Sequence, residues 1–156
     1  MPAPAVPDAP AAALARNDPP AITETRTFAI DSGEVGRADD WIEIVGKQWG
    51  ASQQTIFGAR LCVAELMANV VEHGLAKPDS GRITVTLVRH DRAIGIEFLD
   101  PCARFDPTII STPAPASSIE LATIGGRGLM LVHAYAKEIA YRHDNDVNRT
   151  TLLIAR

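Results

Sequence analysis

The chain predicts an α+β fold: a two-layer α/β sandwich whose mostly antiparallel sheet is covered by helices on one face. Three observations carry that reading. Short runs that alternate polar and apolar side chains occur as adjacent pairs, which is the pattern of hairpins with one buried face. Longer runs with apolar residues at helical spacing separate those pairs rather than linking single strands, so parallel crossover units are disfavoured. Helices then have one sheet face to cover, and the other is left to water or a partner.

Taken in order, "AITETRTFAI" (21–30) alternates polar with β-branched and aromatic residues and reads as the first strand. "DSGEVGRADDWIEIVGKQWG" (31–50) opens with cap-type residues and spaces Val35, Trp41, Ile42, Val45 and Trp49 along a helix face, ending near Gly50. "SQQTIFGARLCVAELMANVVEHGLA" (52–76) offers Ser52 and Gln54–Thr55 as capping residues and continues as a long second helix. Ile83 to Val88 and Ile94 to Leu99 alternate as two strands joined at "RHDR". From 101 to 124 the chain is rich in Pro, Ser, Thr and Ala without a period, a length of loop that in a compact domain marks a lid or binding loop. "GGRGLMLVHAYA" (125–136) reads as a glycine loop opening into a helix, and "KEIAYRHD" with "NRTTLLIAR" closes the chain as a second hairpin.

A chain of 156 residues suits one domain, placed at 21–156, and the Pro/Ala-rich leader 1–20 reads as a disordered, extended tail. That leader lacks a basic segment followed by a continuous apolar core, so it does not read as a signal peptide. Hydrophobic content is 46% and charged content 22%, ordinary for a soluble globular protein, and no apolar run reaches membrane-spanning length. The net charge of −4, with no run of Lys or Arg, argues against direct nucleic-acid or anionic-membrane binding. Cys62 and Cys102 form neither a metal spacing nor a disulfide framework, which fits a reducing cytoplasm.

Three stretches can carry chemistry. In the second helix Glu65, Asn69 and His73 recur every fourth residue, forming a polar stripe on an otherwise apolar segment. Such a stripe can simply face water. Its residue types also suit a site: Glu serves as a general base, and Asn supplies a neutral oxygen to magnesium. In "IGGRGLMLV" Gly125, Gly126 and Gly128 leave backbone N–H groups unobstructed at a helix start, and Arg127 adds a positive charge, a combination suited to phosphate. The spacing is neither the Walker pattern nor the dinucleotide fingerprint. In "FLDPCARFDP" Asp100 ends a strand, where it can make an ordinary Asp-Pro turn or accept a hydrogen bond from an amino group such as that of adenine.

In chain order these stretches resemble the N box and the first and second G boxes of the Bergerat-fold, histidine-kinase-like ATPases. The run "FDP", the Pro/Ser-rich lid, "IGGRGLMLV" and the terminal "NRTTLLI" are similar to one branch of that superfamily, the anti-sigma factor serine/threonine kinases of bacterial partner switching. The resemblance covers roughly residues 22 to 156. It implies an ATP- and magnesium-dependent kinase that holds a sigma factor or another regulator. The kinase would phosphorylate a serine or threonine of a STAS-type anti-sigma factor antagonist, linking transcription to stress. It implies Glu65 as the general base, Asn69 as the magnesium ligand, and His73 near the phosphates. It implies Asp100 as the partner of the adenine amino group, with Cys102 beside it in the first G box. Gly125, Gly126, Arg127, Gly128 and Leu129 would form the phosphate loop, and Thr150 would support the adenine. A homodimer formed through the sheet side is also implied. One departure is plain: the box that normally reads Asp-x-Gly is Asp100-Pro101-Cys102, so a side chain must point away from the adenine or intrude on it. The alternative is a non-catalytic partner-binding module that keeps the fold with weak or no nucleotide binding.

Overall fold

The computed structural model of the chain describes residues 21–74, 81–109 and 125–155; the leader 1–20 and lid residues 110–124 lie outside them. The elements are β1 (Thr23–Ala29), α1 (Gly33–Gln48), α2 (Gln53–His73), β2 (Arg82–Arg89), β3 (Ala93–Asp100), α3 (Gly125–Tyr135), β4 (Glu138–Asp144) and β5 (Val147–Ala155). They form one five-stranded sheet in the order β1-β2-β3-β5-β4, with every neighbouring pair antiparallel. The expected α+β architecture is therefore present, with β5 inserted between β3 and β4 at the centre of the non-local pairing.

The alternation in the strands explains the two faces. Phe28 on β1, Ile83, Val85 and Leu87 on β2, Ile94, Ile96 and Phe98 on β3, and Leu152 and Ile154 on β5 are all buried and join one core with the helices. The helices contribute Trp41, Ile42 and Val45 from α1, Cys62, Val63, Leu66, Met67 and Val70 from α2, and Val132 from α3. On the opposite face the side chains are mixed: Thr25 and Thr86 share a hydroxyl–hydroxyl hydrogen bond of 2.9 Å and Arg149 pairs with Glu97, while Val88, Leu99 and Leu153 point the same way. One layer of helices covers the buried face, which makes a two-layer sandwich and leaves the mixed face without helices among the described residues.

Local chemistry sets the helix ends. At the end of α1, Gly50 takes φ +70°, and the N–H groups of Gly50 and Ala51 donate to the carbonyls of Lys47 and Gly46 at 3.0 Å each. This Schellman arrangement needs the left-handed residue that glycine supplies at least cost. The chain re-enters a helix three residues later, where Ser52 Oγ accepts the Thr55 N–H at 3.1 Å. Gly46 also lets α2 close on α1, since a Cβ there would lie 2.7 Å from Ile56 Cγ1. Arg60 on α2 then bridges to α1, its Nε donating to Asp39 at 2.8 Å and its Nη1 pairing with Glu43 at 2.9 Å. The β4–β5 hairpin turns at Asn145 (φ 51°) and Asp146 (φ 61°), the two positive angles of a tight primed turn.

Candidate active site

The long helix α2 places the polar stripe above the C-terminal ends of β3 and the start of β5. Asn69 is 9% exposed, and its Nδ2 has no hydrogen-bond partner among the described residues. Leaving a buried amide unpaired costs on the order of 1–3 kcal/mol, so such a group is retained where something else will meet it. A half-turn of the amide exchanges donor for acceptor, so the same position can present an oxygen. One turn later His73 is exposed on the last turn of the helix, its Nε2 3.6 Å from Glu72.

Beneath Asn69 the sheet contributes Asp100, the last residue of β3, which is 7% exposed. Its Oδ1 accepts the Cys102 backbone N–H at 3.0 Å and the Asn148 Nδ2 at 2.9 Å. Its Oδ2 takes no hydrogen bond among the described residues. Thr150, 3% exposed, lies on β5 opposite Phe98. Asn69, His73, Asp100, Cys102 and Thr150 line one cleft, walled by apolar side chains that include Leu66, Val70, Phe98, Phe105 and Pro107. Its free volume is about 40 Å³, room for little more than a water, so a purine does not fit the cleft as it stands. Cys102 Sγ reaches the end of α2: a Cβ on Gly74 would lie 2.9 Å from it, and both residues line the cleft.

Glu65 stands one turn before Asn69 and is turned toward α3 rather than into that cleft. A Cβ added to Gly128 would lie 2.1 Å from Glu65 Oε2, so the carboxylate rests directly on the first turn of α3. The glycine run is not a loop ahead of the helix, as the sequence predicts, but its first turn: α3 begins at Gly125. The physical content is preserved, because the first four N–H groups of any helix lack intrahelical partners. Arg127 is exposed, Leu129 is buried, and Arg127, Gly128 and Leu129 do not line the cleft. The helix is tied to the root of the lid by a 2.8 Å contact between His133 Nε2 and the Pro107 carbonyl.

Sequence reasoning missed Asn148. It lies opposite Asp100 in the β3–β5 register and is 2% exposed. Besides Asp100, its Nδ2 donates to the carbonyls of Ala103 (2.9 Å) and Cys102 (3.3 Å). Its Oδ1 accepts from the Tyr141 hydroxyl at 2.6 Å, from His143 Nδ1 at 3.0 Å and from the Phe105 N–H at 3.4 Å. A signal was available. The inward positions of β5 are Asn148, Thr150, Leu152 and Ile154, so its polar inward residues gather at the end beside Asp100.

Other hollows lie elsewhere. One of about 810 Å³ sits at the opposite end of α2 between Trp49–Thr55 and Arg89–Ile94, and its lining includes none of the predicted site residues. Among the described residues no group of three His, Cys, Asp or Glu side chains forms a cation cage, and no helix is long and apolar enough to cross a membrane.

Comparison with known proteins agrees with this geometry. Residues 28–154 match the family model described as histidine kinase-like ATPase domain. A serine/threonine-protein kinase, BtrW of Bordetella bronchiseptica, is 27% identical over 130 residues, covering 83% of this chain and 92% of that protein. The solved RsbU and RsbW domains of Rv1364c from Mycobacterium tuberculosis superpose with a TM-score of 0.63 at 17% identity, over 86% of this chain. The match spans only 32% of that longer chain, and at this identity the likeness speaks for the fold alone.

Proposed function

The chain belongs to the histidine kinase-like ATPase domain family, and from that premise we propose that it is an ATP-dependent protein serine/threonine kinase of the partner-switching type. It transfers the γ-phosphoryl group of ATP to a serine or threonine hydroxyl of a STAS-type antagonist, and holds a sigma factor or another regulator when the antagonist is phosphorylated. The observation that carries this reading is the pairing, in one cleft, of the Asn69 amide nitrogen with an Asp100 oxygen, neither of which makes a hydrogen bond among the described residues. One side offers a ligand for a phosphate-bound cation and the other an acceptor for an amino group.

In this reading Asp100 accepts the adenine amino group, Thr150 supports the ring from β5, and Cys102 forms part of the wall. The N–H groups of Gly125, Gly126 and Gly128, with Arg127, receive the phosphates at the positive end of the α3 dipole, and His73 lies near them. Asn69 is the residue that would hold magnesium beside the phosphates, and the cation would neutralise their charge. Glu65 takes the proton from the attacking hydroxyl. The oxygen–phosphorus bond forms as the bond to the β,γ-bridging oxygen breaks, and ADP departs with the electron pair. The domain spans residues 21–156 with a lid over 101–124; it works in the cytoplasm and pairs with a second copy through the open sheet face.

A direct test measures phosphoryl transfer from ATP to the antagonist by wild type and Glu65→Gln. Loss of transfer with nucleotide binding intact supports the role of the base, whereas equal rates remove it. The small free volume of the cleft and Cys102 at a glycine position favour one second reading, a partner-binding module without catalysis. Tight antagonist binding with no detectable nucleotide affinity would establish that reading instead.

A further inference from the structure

We propose that Asn148 is the positioning residue that makes Asp100 selective for adenine, an inference that rests on reading the cleft as a nucleotide site. A carboxylate recognises an amino group well only when one oxygen is aimed and the other is satisfied. Here Oδ1 is saturated by the Cys102 N–H and the Asn148 amide, which stops rotation of the carboxylate and leaves Oδ2 for a ligand.

The direction of the Asn148 amide is itself determined. Its oxygen receives the Tyr141 hydroxyl, the His143 ring and the Phe105 N–H, while its nitrogen faces the Ala103 carbonyl and Asp100. Reversing the amide would set its donors against the Phe105 N–H and its oxygen against a carboxylate and two carbonyls, so only one orientation satisfies the set. Since Asn148 Oδ1 only accepts, His143 must carry its proton on Nδ1. One side chain thus joins the end of β3, the root of the lid from Cys102 to Phe105, and the β4–β5 hairpin. Asn148 touches no ligand itself and acts through Asp100.

A purely structural role, holding the hairpin to β3, would weaken all nucleotides alike. A positioning role changes the preference for the amino group. The test is isothermal titration of the full chain with magnesium and either ATP or purine riboside triphosphate, which lacks the 6-amino group. Wild type is expected to favour ATP by about tenfold or more, the range of a hydrogen bond to a charged group. Asn148→Ala, verified as folded by thermal melting, is expected to bring that ratio close to one while its affinity for the analogue stays within a few-fold of wild type. An unchanged ratio overturns the inference. Should Asn148→Ala fail to fold, Tyr141→Phe removes one clamp on the amide and keeps the ring, and it must lower the ratio by a few-fold for the inference to stand. If wild type binds neither nucleotide, the nucleotide reading itself fails, and the inference goes with it.

Discussion

Replacing Gly128 with alanine separates the chemistry of the site from the stability of the fold. A Cβ at this position would lie 2.1 Å from Glu65 Oε2, 3.1 Å from its Cδ and 3.7 Å from its Cβ. Only the carboxylate end is in conflict, and a glutamate can swing that end to another rotamer. Alanine in a helix is favoured over glycine by about 1 kcal/mol, and displacing the carboxylate costs on the order of 0.5–1.5 kcal/mol, so the two nearly cancel. The melting temperature should move by no more than about 4 °C in either direction. If Glu65 is the base of the proposed transfer, catalysis should respond differently, because a base moved by the width of a methyl group cannot reach the hydroxyl it serves. Phosphoryl transfer should fall by about 10²–10⁴-fold while ATP affinity changes less than tenfold. The assay pairs a thermal melt with transfer of labelled phosphate to the antagonist, and Glu65→Gln and the double variant complete a cycle. The double variant should be no slower than either single one. Wild-type transfer by Gly128→Ala would refute the placement of the base against α3.

Other perturbations follow from the same geometry. Burial, with the negative Glu65 nearby, pushes the Cys62 thiol up to about 12. Below the ordinary thiol value of 9.0 Cys62 is neutral in both states and stability is unaffected; between 9.0 and about 12 only the unfolded chain ionises, so stability falls as pH rises. Urea midpoints from pH 8 to 11 should fall less steeply for Cys62→Ala, by up to about 1.4 kcal/mol per pH unit. Phe98 is 1% exposed and forms a wall of the cleft, so Phe98→Ala should cost about 3–5 kcal/mol in chemical denaturation. Asp146 holds φ 61° in the β4–β5 turn; Asp146→Val should cost about 1–2 kcal/mol by the same measurement, and Asp146→Gly should cost nothing.

Which parts of this molecule could be read in advance depends on how local their physics is. Strand alternation, the Ser52 cap and the hairpin turns are written in neighbouring residues, and each element appears in the predicted order. The insertion of β5 between β3 and β4 is a pairing between distant segments, and no local period records it. Asn69, His73 and Asp100 were picked out by helical spacing and a strand end, Cys102 and Thr150 by the family resemblance, and the fold brings all five to one cleft. The contact between Glu65 and Gly128 was not, since it depends on how closely α3 crosses α2. Asn148 was overlooked because "NRTT" reads as routine alternation; its partners at Asp100, Tyr141, His143 and Phe105 come from three separate segments. The glycine run was placed one turn too early for a related reason. Glycine marks a break in the helical period even where the backbone has already entered the helix.

The central claim is that the cleft between α2 and the end of β3 is a magnesium-dependent nucleotide site. Isothermal titration of the purified chain with ATP and ADP, with and without magnesium, beside Asn69→Ala, tests it most directly. The account predicts saturable binding that strengthens with magnesium and loses that dependence in Asn69→Ala. No binding at any nucleotide concentration, or binding that Asn69→Ala leaves unchanged in the presence of magnesium, would contradict it.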